Sequence, residues 1–191
     1  LTVIEILYGI VFQPVPTFRY LGSSKPLFLA LTAFSVSALS NMIINLGINQ
    51  NTGIAASLPE AYIGIYLLLG LIISLAVLAA AAAVYNLLGE IMFQQANGRG
   101  MLCCLALAFV PGILAPPLQY AFSILNWGFW NAGISLLAFV WVIVLQIIGI
   151  REALVIQGGQ ALLLFLLPGV ILALLILFTL VLLVFLLPGM I

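Results

Sequence analysis

No charged side chain occurs between Arg99 and Arg151, and none follows Glu152. The 191-residue chain holds four basic side chains (Arg19, Lys25, Arg99, Arg151), four acidic ones (Glu5, Glu60, Glu90, Glu152) and no histidine. Charged residues are 4% of the total and hydrophobic ones 66%, whereas soluble domains carry about 25% charged residues. A surface so poor in charge does not stay dispersed in water. Hydrocarbon is the solvent that suits it, so the bilayer is the first expected partner.

The few charges punctuate the apolar stretches. Residues 2–13 place Thr2, Glu5, Gly9 and Gln13 on one narrow helical stripe with an apolar remainder. A helix of that length reaches about 18 Å, short of a hydrocarbon core of about 30 Å. The expectation is an interfacial helix lying along the membrane, the alternative being the frayed end of a longer segment. Pro14 and Pro16 are expected to stop it. Thr17 to Tyr20 and Lys25 then mix aromatic and basic groups as a headgroup layer does. No basic flank precedes the opening stretch, so no cleavable signal peptide is expected.

Five spans are expected after this segment of residues 1–25. The first, about 27–46, carries Asn41 and Asn45, which share a face and look toward other helices or sit at the outer rim. A polar loop, NQNTG, is expected at 49–53. The second, about 62–92, is longer than one crossing needs and must tilt or protrude; Asn86 and Glu90 share a face near its end. A glycine-containing turn, QQANGRG, occupies 94–100. The third span, about 101–125, is broken by Pro111, Pro116 and Pro117, with Gln119 and Tyr120 beside the break. Each proline removes a backbone N–H and frees carbonyls that need neighbours, water or side chains. Trp127 and Trp130 read as an interfacial anchor. The fourth span, about 132–150, contains Gln146 and ends at Arg151 and Glu152. Gly158-Gly159 is read as a turn, and the fifth span, about 160–187, is leucine-rich. The expected fold is all-α: a polytopic transmembrane helix bundle of about five spans preceded by a short interfacial helix, one domain over 1–191. No larger repeat supports an inverted-repeat transporter.

With five spans, Arg19, Lys25, Arg99 and Arg151 all fall on one side of the membrane and the opposite loops hold no Lys or Arg. Basic loops stay cytoplasmic, which puts the N-terminus inside and the C-terminus outside.

Chemistry is scarce. The net charge is zero with no basic cluster, which argues against nucleic acid. The adjacent Cys103 and Cys104 are poorly placed to pair with each other, no histidine completes a metal site, and burial as small apolar residues is their expected state. No cofactor is expected, no nucleophile with a base stands out, and the expectation is a non-enzyme. Ionisable groups at mid-membrane would mark ion-coupled transport, but every charge lies near a span end. The residues left to carry function are the rim set Arg19, Glu90, Arg99, Arg151 and Glu152, read either as topology anchors or as a docking surface for a partner. A second set is intramembrane: Asn41, Asn45, Pro111, Pro116, Pro117, Gln119 and Gln146. These sets suggest two functions, an adaptor that associates with other membrane proteins or with itself, and a small channel or transporter of a lipid or small molecule.

Four stretches, in order, carry a resemblance to a known family: QPVPTFRYL (13–21), LLGEIMFQQANGRG (87–100), ALAFVPGILAPPL (106–118) and WVIVLQIIGIREAL with GGQALLLFLLPG after it (141–169). Together they resemble the Yip-type family of Ypt/Rab-GTPase-interacting membrane proteins. The resemblance implies five spans with a cytoplasmic N-terminus. It also implies a role in organising membrane proteins, with export-transporter components or a small GTPase as partners. Carried over by position, Arg99, Arg151 and Glu152 are the cytoplasmic-loop residues. The sequence does not show the long soluble N-terminal segment of eukaryotic relatives, which points to a prokaryotic member in the plasma membrane. The alternative is a Golgi or endoplasmic-reticulum membrane in a eukaryote.

Overall fold

The computed structural model describes residues 3–52, 60–113, 117, 121–122 and 128–186. Among these, the regular structure is helical throughout, as expected where no water is present to satisfy an open backbone. The helices are α1 (Val3–Phe12), α2 (Pro14–Ser24), α3 (Leu27–Thr52), α4 (Glu60–Phe93) and α5 (Gly98–Ala108). A 3-10 turn (Val110–Ile113) comes next, then α6 (Gly128–Leu154) and α7 (Gly158–Leu186).

The stretches Leu27–Leu46, Tyr62–Phe93, Ala132–Leu154 and Gly158–Leu183 are each long and apolar enough to cross a membrane. The third expected span differs. Its first part is α5 and the 3-10 turn, which hold a shorter apolar helix over Gly98–Gly112. The cause is Pro111, which has no N–H to continue the helix. The carbonyl it leaves without a helical donor is that of Leu107, and in the 3-10 turn that follows the Phe109 carbonyl accepts from Gly112 N–H at 2.9 Å and from the Ser37 hydroxyl of α3 at 3.3 Å. Pro116, Gln119, Tyr120 and Trp127 lie outside the described residues. Four long helices and this broken one make the polytopic all-α bundle that the hydropathy pattern predicts.

α5 is the axis of the bundle. Gly100, Met101 and every residue from Cys103 to Ala108 are buried, and α2, α3, α4 and α6 all pack around it. Close approach relies on small side chains, as it does generally between helices in lipid. A Cβ on Gly149 of α6 would lie 3.2 Å from the Cys104 Cβ. Cys103 and Cys104 are both free and buried. The outer helices turn large apolar side chains outward, among them Leu68, Ile72, Leu137 and Phe139. In a bilayer that is the solvated face.

Three local expectations are revised. Pro14 does end α1, but it also opens α2 from its first helical position, where a missing N–H costs nothing. The segment before the first span is thus two helices with a packed inner face: Ile6, Ile10, Phe18 and Leu21 are buried. At the bend, Gly9 sits directly against the Thr17 hydroxyl, leaving no room for a side chain. α3 runs on through Thr52, so the polar NQNT string is helical rather than a loop. Gly158-Gly159 starts α7; the turn is at 155–157.

α2, α4 and α6 each end next to a left-handed residue that is not glycine: Lys25 (φ 51), Gln94 (φ 54) and Val155 (φ 55). Such a residue lets the chain turn back and meet the last free carbonyls. Lys25 N–H donates to Leu21 O at 2.9 Å, Gln95 N–H to Gly89 O at 3.3 Å and Ile156 N–H to Arg151 O at 3.1 Å. All three tight turns lie at the same end of the bundle.

Candidate functional site

The end where these turns meet is tied by one side chain. Asn97 caps α5, its Oδ1 accepting from Gly100 N–H at 3.2 Å. Its Nδ2 donates to Gly22 O at the end of α2 and to Ala153 O at the end of α6, both at 3.0 Å. Its own N–H donates to Asn86 Oδ1 on α4 at 2.8 Å. Four helices are therefore joined through one residue whose hydrogen-bonding capacity is almost fully used. By composition the string around it reads only as a glycine turn. An Asn directly before a helix start is the capping signal that marks it; the two distant carbonyls leave no trace in sequence.

Beside Asn97 lies a polar cleft of about 590 Å³ lined by Arg19, Ser23, Lys25, Arg151 and Glu152. Glu152 is the anchor: its side chain is 7% exposed, and a buried carboxylate is stable only when paired. Arg19 Nε donates to Glu152 Oε2 at 3.0 Å, and Arg151 Nε lies 3.4 Å from Oε1. Arg19 is 71% exposed, so the pair holds α2 in register with α6 more than it adds stability. The structure thus brings together Arg19, Arg151 and Glu152 of the expected rim set. Glu90, near the end of α4, and Arg99, in the first turn of α5, are exposed at the same end and make no ion pair among the described residues. The basic residues share one end of the bundle, as their loop positions imply.

The second set converges elsewhere. A cavity of about 580 Å³ opens between α3 and α4, with α5 and α6 behind it. Asn41, Asn45 and Gln146 all line it, together with Ser37, Ser74, Tyr66 and Tyr85, and no charged side chain does. Asn41 is half-buried and faces inward, one of the two readings left open, while Asn45 lines the cavity but is exposed. Asn41 Nδ2 donates to Ser37 O at 2.9 Å. Phe34 and Phe109 meet edge to face at 5.4 Å within the lining. Pro111 lies on the 3-10 turn next to Phe109, Pro117 is exposed, and Pro116 and Gln119 are not among the described residues.

A family model, the Yip1 domain, matches residues 8–189. Comparison with curated proteins and with solved structures finds no match.

Proposed function

The chain belongs to the Yip1-domain family of membrane proteins, and from that premise we propose that it is a non-enzymatic adaptor that gathers other membrane proteins around itself. The observation that carries this reading is α7. Its first turns are packed, with Ala161 and Leu164 buried and Phe165 stacked on Tyr85. Beyond Pro168, every residue from Gly169 to Leu183 is exposed. This is an apolar arm, hydrophobic all round, that touches little of its own bundle. A helix of this kind is free to pack against a transmembrane helix of another protein by van der Waals contact. At the opposite end of the described bundle core, Arg19, Arg99 and Arg151 offer a basic rim on the side we assign to the cytoplasm. Export-transporter components and, in a eukaryotic setting, a small GTPase are the partner classes that fit such a rim and arm.

The test is a photo-crosslinking residue at position 174 on the arm, compared with one at position 137 on the lipid-facing side of α6. The expected result is a discrete protein adduct from position 174 only, co-purifying with the chain in mild detergent. Lipid-sized adducts from both positions, with the chain emerging alone, contradict the adaptor.

A second reading has its own support. The gathering of Asn41, Asn45 and Gln146 around one uncharged cavity favours the handling of a lipid or small molecule.

A further inference from the structure

We propose that the cavity between α3 and α4 binds one uncharged amphipathic lipid, a single hydrocarbon tail with a hydroxyl-bearing head of the monoacylglycerol type. The proposal deepens the lipid-handling reading and is independent of the adaptor.

The size of the cavity fits such a lipid. About 580 Å³ falls inside the range of about 300–1,000 Å³ typical of small-molecule sites. The lining runs from Phe34 to Asn45 on α3 and from Tyr66 to Tyr85 on α4. At 1.5 Å per residue these edges are about 17 Å and about 28 Å long. One leaflet of the hydrocarbon core is about 15 Å deep, so the α3 edge matches a lipid tail in length and the α4 edge runs beyond it.

Charge narrows the class. All eight lining residues of α4 are uncharged, and so are those of the other helices. An ionised phosphate or carboxylate placed there would have no counter-charge, at a cost of several kcal/mol or more. The basic residues line the separate rim cleft. Anionic lipids are therefore excluded by the same chemistry that admits neutral ones.

Unmet hydrogen bonding selects the head. Among the described residues, the amides of Gln146 and of the exposed Asn45 have no hydrogen-bond partner, and Asn41 uses only its Nδ2, so the unmet bonding inside the cavity lies on Gln146 and Asn41. Gln146 is half-buried and lines the cavity together with the apolar Leu105 and Phe109. A carboxamide left unpaired in an apolar setting is costly. Hydroxyl and ester groups supply both the donors and the acceptors these amides need.

The probe is a monoacylglycerol carrying a diazirine in its tail, applied to the purified full chain in detergent. Its comparators are a lysophosphatidic acid with the same tail and the bare alkane. Saturable labelling by the neutral probe is expected, mapping to 34–45 and 66–85, with little from the phosphate analogue. Asn41→Leu combined with Gln146→Leu lowers that labelling about ten-fold or more, the loss expected for two neutral hydrogen bonds. Ala81→Phe, which fills the slot without touching an amide, lowers it equally if the folded yield is unchanged. Non-saturable labelling spread over α7, equal labelling by the phosphate analogue, or no effect of Ala81→Phe each overturns the site. Flux of the same probe into liposomes is measured separately: binding without flux keeps the site and removes transport.

Discussion

Asn97→Ala destabilises the protein by about 3 kcal/mol, combining a lost helix cap with two lost carbonyl partners. The cap is the Oδ1 bond to Gly100 N–H, and the carbonyls are Gly22 O and Ala153 O. For a chain of this size the loss corresponds to a fall in melting temperature on the order of 10 °C. Two further variants separate the parts. Asn97→Ser keeps a capping oxygen and recovers about 1 kcal/mol. Asn97→Asp keeps the cap but faces two carbonyls with an oxygen in place of a donor, so it is no better than alanine although its shape is the same. Thermal unfolding in detergent ranks the four proteins. An Asp variant as stable as Asn would show that the bonds to α2 and α6 contribute nothing.

Gly22→Val is expected to cost a similar amount by a different route. A Cβ on Gly22 lies 3.2 Å from Glu152 O and 3.4 Å from the Ala153 Cα. Both are backbone atoms, so the neighbour has no side chain to swing away. α2 must retreat from α6, which also stretches the Arg19–Glu152 pair and the Asn97–Gly22 bond. Overpacking of this kind costs about 1–3 kcal/mol, and the broken polar contacts place this case at the upper end. Gly22→Ala is much milder, because the gain in helix propensity of about 1 kcal/mol offsets part of the crowding. Gly64 has nothing within 4 Å of its Cβ position, so Gly64→Val is the control and leaves the melting temperature nearly unchanged. Equal effects at positions 22 and 64 would deny the close α2–α6 contact.

The long helices were legible because hydropathy and charge placement report directly on transfer to hydrocarbon. Leu27, Tyr62, Ala132 and Gly158 begin membrane-length apolar stretches near the expected places. The inward set was legible in part for the same reason: amides such as Asn41 and Gln146 are too costly to leave facing lipid, and the structure gathers them in one cavity. The misses have local causes. Pro14 breaks one helix and starts another, and the second role depends on the helix-forming residues after it. The NQNT string looks like a loop by polarity, yet it continues a helix already nucleated over the preceding turns. The burial of α5 was not legible, since an apolar helix reads alike whether protein or lipid surrounds it. Asn97 and Gly22 matter through partners far along the chain, which one sequence does not pair.

The turns after α2, α4 and α6 lie at one end of the bundle with the basic residues, and the adaptor reading assigns that end to a single side of the membrane. The most direct test is labelling of single introduced cysteines by a membrane-impermeant maleimide in intact cells, using Tyr62→Cys, Ala96→Cys and Gln157→Cys. All three positions are exposed, while the native Cys103 and Cys104 are buried and give little background. Position 62 is expected to react from outside, and positions 96 and 157 only after the membrane is opened. Labelling of 96 and 157 from opposite sides would contradict the shared placement of these turns.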